Sequence, residues 1–149
     1  MIFTNEYISK IKSKNMIITT DLLDDLTLQA KANPRLRMNY DLRTSAKDSS
    51  QRMLNALEPG TVVPIHRHPG SSETVCCVRG ALDEVIYTEQ ADGKVVESER
   101  ISLCAGSPLA VVQIPLGVWH TVDNIQEGTI IVESKDGAYE PMKPEDIII

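Results

Sequence analysis

The sequence has 149 residues, and a chain of this length normally forms one domain that buries roughly two-thirds of its extended surface. Its net charge of −6 argues against nucleic acid or a membrane surface as a partner, because both require a basic face. No segment approaches the ~20 apolar residues of a membrane span. Met1–Glu6 lacks the basic and apolar regions of a signal peptide, so we expect a cytoplasmic protein.

Three parts are predicted along the chain. Residues 1–20 form a polar N-terminal extension, residues 21–142 form a single domain that starts with a helix, and residues 143–149 form a C-terminal tail. The tail ends on three isoleucines, which would be an aggregation hazard in water. We therefore expect them to pack on the domain or on a partner subunit.

One short helix is predicted at the start of the domain. Leu22, Leu26 and Ala30 recur at helical spacing, and Asp21 in the first turn suits the helix dipole. The helix should end before Pro34, because the residue that precedes a proline avoids the α region.

From Arg35 onward the pattern changes to strands. Asp92-Gly93 between two alternating runs predicts a hairpin. Many short strands and few helices indicate an all-β sandwich or barrel. The eight predicted strands are Met53–Leu57, Val62–His66, Thr74–Val78, Leu82–Thr88, Lys94–Leu103, Leu109–Ile114, His120–Val122 and Thr129–Glu133.

The three cysteines, Cys76, Cys77 and Cys104, are predicted to be reduced. Adjacent side chains on a strand point to opposite faces, so Cys76 and Cys77 cannot form an ordinary disulfide or share one metal. Core-filling thiols in a reducing compartment are the favoured interpretation.

All three histidines lie in two short motifs. His66 and His68 are two residues apart, so both imidazoles face the same side of a strand. The segment Pro69–Ser72 lets the chain reverse and bring Glu73 alongside them. His120 follows a Pro-x-Gly turn that can set it on a facing strand.

This set of three imidazoles and one carboxylate suits one divalent first-row transition metal per chain: iron, manganese, zinc, nickel or cobalt. Four protein ligands leave roughly two positions of an octahedron open, which favours catalysis or ligand sensing over a purely structural ion. The alternative is a barrel that has these residues and holds no metal.

Both motifs resemble the two signature motifs of the cupin superfamily. Gly-x5-His-x-His-x4-Glu-x6-Gly is complete from Gly60 to Gly80, and Pro-x-Gly-x2-His-x3-Asn is complete from Pro115 to Asn124. The glycine expected before the second motif stands at Gly106, with eight residues between it and Pro115 rather than the usual five. The resemblance implies a cupin fold, that is, a double-stranded β-helix or jelly-roll barrel, here with a short N-terminal helix.

A narrower resemblance is to the WbuC-type cupin-fold metalloproteins. It covers roughly residues 16–142, although Asp41 stands near the family's usual histidine and residues 143–149 do not follow its ending. The family is associated with surface-polysaccharide gene sets, so the resemblance implies a metal-binding protein of polysaccharide biosynthesis. It rests on the segments Asn33–Asn39, Gln51–Gly60, Pro64–His68 and Glu133–Pro141.

Other side chains are candidates for substrate binding. Arginines beside a metal could clamp a phosphate or carboxylate, whereas ordinary salt bridging is the alternative. Arg52 is expected to reach the pocket best, Arg67 should point outward, and Trp119 should lie on the face opposite His120. The candidates are Arg35, Arg37, Arg52 and Tyr139.

Several functions fit this site. A metal could polarise a carbonyl oxygen or activate water, so isomerisation or hydrolysis of a small polar or sugar-derived metabolite is expected. The alternatives are an iron dioxygenase and a non-enzymatic module that binds a small ligand. A metal-free epimerase with a histidine base is disfavoured, because every histidine is a predicted metal ligand. No catalytic residue is assigned, and a homodimer is expected because an open sheet edge invites pairing.

Overall fold

The computed structural model describes residues 17–149, so the predicted N-terminal extension lies, up to residue 16, outside the described residues. Helix α1 spans Thr20–Ala32 and confirms the predicted helix. The Thr19 side chain caps it by accepting a hydrogen bond from the Leu22 amide at 3.2 Å. The chain leaves the helix at Asn33, where Pro34 follows. Among the described residues, no helix has the length and apolar character of a membrane span.

The strands form two five-stranded antiparallel sheets. The first has the order β1-β2-β9-β4-β7 and the second the order β10-β3-β8-β5-β6. Within residues 17–149, two sheets and one α-helix confirm the predicted all-β jelly-roll architecture. The strands are β1 (Arg37–Asp41), β2 (Ser50–Leu57), β3 (Ile65–His66), β4 (Glu73–Arg79), β5 (Ala81–Glu89), β6 (Val95–Cys104), β7 (Val111–Ile114), β8 (Trp119–Asp123), β9 (Thr129–Asp136) and β10 (Ile147–Ile148), with a 3₁₀ turn at Pro144–Asp146.

Most predicted strands are confirmed, with three differences. The strand predicted at Val62–His66 is reduced to β3, because Pro64 has no amide hydrogen to donate to a sheet. The sequence pattern did not predict β1 or β10. Both occupy sheet edges, where a strand pairs on one side only and carries a weaker apolar pattern. The hairpin at Asp92-Gly93 is confirmed, since it joins β5 to β6.

Two apolar clusters hold the sheets and the helix together. The first lies between the two sheets and includes Leu57 and Leu103, which are 1% and 0% exposed. In the second, α1 packs Leu26 and Ala30 against Leu54 of β2 and its neighbours. Strands β2 and β9 are therefore covered on both faces, which favours one register between them. Strand β9 pairs in turn with β4 and so positions Glu73, the first residue of β4.

The three cysteines are free thiols, as predicted. Cys77 is buried in the cluster between the sheets, whereas Cys104 is exposed. The predicted packing of the C-terminal isoleucines is confirmed for two of them, because Ile147 and Ile148 pair with β3 as strand β10.

A partly buried ion pair holds this last strand in place. Arg67 Nε donates to Asp146 Oδ1 at 2.8 Å, and the Arg67 amide donates to the Asp146 carbonyl at 3.1 Å. Asp146 is buried, so its carboxylate depends on this partner. The ion pair therefore holds β10 against the strand that carries His66.

We predict that Asp146→Ala loosens β10. Losing a buried hydrogen-bonded partner should lower the free energy of unfolding by about 1–3 kcal/mol and speed hydrogen exchange at the Arg67 amide. Denaturant titration and exchange measured by NMR test this, with the exposed neighbour variant Glu145→Ala as the control. Exchange at the Arg67 amide that is no faster in Asp146→Ala than in Glu145→Ala would contradict the prediction.

Candidate metal centre

The four predicted ligands come from both sheets. His66 on β3 lies directly opposite His120 on β8, its neighbour in the same sheet. The sequence analysis had placed His120 on a facing strand. In the structure it lies instead on the strand adjacent to that of His66. Glu73 is the first residue of β4 in the other sheet, and His68 lies just after β3. The four side chains thus meet between the two sheets.

The structure brings these four side chains close enough to share one ion. One ligand atom from each residue lies within 4.8 Å of all the others. The centroid of the His66 ring is 4.3 Å from that of His120 and 5.0 Å from that of His68. Glu73 Oε2 lies 3.0 Å from both His68 Nε2 and His120 Nε2.

Backbone carbonyls orient two of the rings. His66 Nδ1 lies 2.8 Å from the Pro64 carbonyl oxygen, and His120 Nδ1 lies 2.8 Å from that of Val118. A carbonyl oxygen only accepts hydrogen bonds, so each Nδ1 must carry the hydrogen. In the neutral rings the Nε2 lone pair is then free for a metal, which is the usual arrangement of ligating histidines.

The charges at this point call for a cation. His120 Nε2 faces the Glu73 carboxylate, and a neutral ring held by its Nδ1–H would put two lone pairs against each other. His68 Nε2 is buried and has no hydrogen-bond partner among the described residues, because its 3.0 Å approach to Glu73 lacks hydrogen-bond geometry. An ion at the centre would satisfy all these atoms, so the donor set fits a divalent transition metal.

The protonation states suit ligation as well. Burial and the neighbouring His120 lower the pKa of His66 to about 4, so this ring is neutral at pH 7. Burial by itself would raise the pKa of Glu73, but the close imidazoles of His120 and His68 outweigh it and hold that pKa well below its usual range. The set therefore offers a neutral imidazole and a carboxylate, the forms that bind metal.

The four ligands line one wall of a cavity of about 240 Å³. Part of the remaining lining is apolar, including Leu57, Ile131 and Ile147 of the last strand. Other lining residues are polar, and sequence reasoning assigned five of them no role: Asn55, Glu84, Thr121, Glu133 and Lys135. The cavity thus combines the four candidate ligands with further polar side chains.

Two acids that line the cavity have pKa values raised well above the usual range. Burial and the charges of Glu73 and Glu133 raise the pKa of Glu84 to about 9. Burial and the charge of Glu73 raise the pKa of Glu133 to about 8. The signal for Glu84 in the sequence is an acid inside the apolar run of β5, and alternation from Leu82, which is core, would have placed it on the same inner face.

Of the four predicted substrate-binding residues, one lines the cavity and three do not. Arg37 lines the cavity. The prediction that Arg52 reaches the cavity is wrong, because its guanidinium points to Asp48 Oδ2 at 2.9 Å on the outer side of β2. Arg35 and Tyr139 also lie outside the cavity lining, and the Tyr139 side chain is 58% exposed.

Arg67 and Trp119 lie on the side away from the ligands, as strand alternation predicted. The Arg67 guanidinium lies 4.5 Å from the centroid of the Trp119 ring, a cation–π distance. Neither residue lines the cavity.

A protein-family model described as "Domain of unknown function (DUF6016)" matches residues 18–101, more than half of the chain. The chain belongs to this family. The match includes α1, β1–β5 and three of the four ligands, and it ends before β8, which carries His120. A search of curated proteins found no match to this DUF6016 member.

Solved structures show that this DUF6016 protein has a cupin fold. An oxalate oxidase in complex with the substrate analogue glycolate is 19% identical, with a TM-score of 0.55 over 73% of this chain and 55% of the other. KdgF from Halomonas sp. is 13% identical, with a TM-score of 0.55 over 72% of this chain and 84% of the other. The chain therefore spans about half the length of the oxalate oxidase. At these identities the likeness concerns the fold.

Proposed function

We propose that this chain binds one divalent first-row transition metal through His66, His68, Glu73 and His120 and presents it to a small polar ligand. The observation that carries this proposal is the convergence of four ligand atoms within 4.8 Å, with the buried His68 Nε2 left without a hydrogen bond among the described residues. A preorganised site of this kind, with open coordination positions facing a cavity, is suited to catalysis or ligand sensing.

The chain's own residues would divide the work as follows. The Pro64 and Val118 carbonyls keep two rings in the ligating tautomer, and the carboxylate of Glu73 offsets part of the metal charge. The bound metal would supply Lewis acidity, lowering the pKa of coordinated water or polarising a ligand oxygen. Arg37 and Lys135 also line the cavity, and their positive charges would attract an anionic group of the ligand.

The size of the cavity limits the ligand. Its 240 Å³ is smaller than the roughly 300–1,000 Å³ of pockets for drug-sized ligands, so a small metabolite fits better than a complete nucleotide sugar. The resemblance to WbuC-type proteins supports a sugar-derived metabolite of surface-polysaccharide metabolism. The oxalate oxidase complex with glycolate offers a precedent on this fold for a small oxygen-rich acid.

The reaction class within this proposal is a metal-dependent isomerase or hydrolase. An iron dioxygenase would use the same ligands, and oxygen uptake by iron-loaded protein would favour it. Persistent ligand binding without turnover would favour a non-enzymatic module.

We also propose that the protein is a cytoplasmic homodimer. Strands β1, β7, β6 and β10 end the two sheets, and an open sheet edge can pair with a second copy. Three free cysteines support a reducing compartment. A single-chain mass by light scattering at micromolar concentration would refute the dimer.

We expect protein purified without chelators to contain close to one equivalent of metal per chain. Elemental analysis measures the amount and identifies the ion, and dialysis against a strong chelator should remove it because the cavity opens to solvent. Less than a tenth of an equivalent, together with no uptake from added iron, manganese, zinc, nickel or cobalt, would overturn the proposed function.

A further inference from the structure

Glu84 is a buried acid that the candidate metal centre does not use. It is 2% exposed, lines the same cavity as the four ligands, and its Oε2 has no hydrogen-bond partner among residues 17–149. No described arginine or lysine forms an ion pair with it. Leaving a carboxyl buried and unpaired costs several kcal/mol unless something else satisfies it.

Its neighbour Asp83 shows what an ordinary structural acid looks like on the same strand. Asp83 is also buried, yet it accepts hydrogen bonds from Ser102 Oγ at 2.7 Å and from Arg100 at 3.2 Å. Because successive side chains on β5 alternate, Asp83 faces the outer side of the sheet and Glu84 faces the cavity. The missing partner of Glu84 must therefore come from inside the cavity.

We propose that Glu84 is a specificity residue that hydrogen-bonds a hydroxyl group of the ligand held at the metal centre. The inference rests on the proposed function, because it takes the metal to hold the other end of the ligand. The ligand class is thus a small polyhydroxy compound that chelates the metal through one pair of oxygens and turns a further hydroxyl to Glu84.

The chemistry of the carboxyl selects a hydroxyl over an anionic group. A hydroxyl both donates and accepts, so it can bond to Glu84 whether the acid is ionised or protonated. A phosphate or carboxylate only accepts, so it can bond to the protonated acid alone and is repelled once Glu84 ionises, with Glu73 adding negative charge nearby.

Two small acids that differ by one hydroxyl test this inference. Glycerate and lactate both offer an α-hydroxy carboxylate to a metal, and only glycerate has a second hydroxyl. We expect cobalt(II)-loaded wild-type protein to bind glycerate at least about tenfold more tightly than lactate by isothermal titration, because a site built for a hydroxyl rejects the analogue that lacks it.

Substitutions of Glu84 and Asp83 distinguish a role in ligand binding from a role in stabilising the fold. Glu84→Leu should bring the ratio of the two affinities close to one, Glu84→Gln should retain part of it, and Asp83→Asn should leave it unchanged. Glu84→Leu should also melt at or above the wild-type temperature, since an unpaired buried acid is replaced by an apolar side chain. A structural role would instead lower the melting temperature.

The failures can be told apart. Protein that takes up no cobalt overturns the proposed function itself. Protein that takes up cobalt but binds glycerate no more tightly than lactate, or binds neither, overturns the role of Glu84 and leaves the metal centre standing. A ratio unchanged in Glu84→Leu overturns it as well.

Discussion

Glu73→Gln is expected to remove most of the stabilisation that metal gives this protein. At a free metal concentration about 1,000 times the dissociation constant, binding to the native state adds about 4 kcal/mol. For a chain of about this size, that is a rise of roughly 8–16 °C in melting temperature. Removing an outer-shell partner of a metal ligand lowers affinity 10–100-fold, so losing a direct carboxylate ligand should lower it by at least about 100-fold.

The variant should still fold without metal. The glutamine amide keeps the shape of Glu73 and can donate a hydrogen bond to an unprotonated ring nitrogen of His68 or His120, each 3.0 Å from Oε2 in the wild type. Thermal melts with and without added metal, read beside elemental analysis, give the result. The control is Glu97→Gln, an exposed carboxylate paired with Arg100 far from the cavity. Equal metal-induced shifts in both variants would contradict Glu73 as a ligand.

Among the variants considered, Gly80→Ala is expected to lower the free energy of unfolding the most. Gly80 has a φ of +68°, which is strained for any residue with a side chain. An added Cβ would lie 2.5 Å from Thr129 Oγ1 and 2.9 Å from Thr129 Cα, and a backbone atom cannot move aside cheaply. Strain of about 1–3 kcal/mol together with an overpacking cost of similar size predicts a loss of about 3 kcal/mol or more.

Gly106→Ala is the matched control, because Gly106 has a φ of +73° and its added Cβ would meet nothing within 4 Å in the described part of the chain. It carries the backbone strain without the clash. Chemical denaturation of both variants separates the two effects. Equal losses at the two positions would show that the contact with Thr129 contributes nothing.

The close approach at Gly80 explains why the first histidine motif ends in glycine. Thr129 is 0% exposed, and its hydroxyl is bonded to the Ala81 amide at 3.2 Å and to the Gln126 carbonyl at 2.7 Å. The chain turns from β4 into β5 against this side chain, where a Cβ has no room. The turn sends β5 into the opposite sheet, which brings Glu84 to the cavity.

Sequence reasoning singled out the four side chains that converge in the structure, because the two histidine motifs are local sequence patterns. Two residues of spacing place His66 and His68 on one side, and the complete motifs gave the cupin fold that the solved structures support. It could not predict that His120 would be the direct neighbour of His66 in one sheet, because register across strands 54 residues apart is set by tertiary packing.

The same limit explains the errors at the cavity. Arg52 was favoured from its place before the metal-binding strand, but only the structure shows that Asp48 holds its guanidinium. Glu133 looks like an ordinary surface acid in a chain with 21 acidic residues, whereas the apolar run around Glu84 signals its burial but not its neighbours. Their closeness to Glu73 arises where strands from both sheets converge, and no local pattern records that convergence.

The placement of the ligands on opposite sheets has a mechanical consequence. His66 and His120 belong to one sheet and Glu73 to the other. A bound ion would therefore link the two sheets through side chains. Separating the layers would then require breaking coordination bonds as well as opening the apolar interior. The supply of trace metal during synthesis would therefore govern how long each molecule survives proteolysis in the cell.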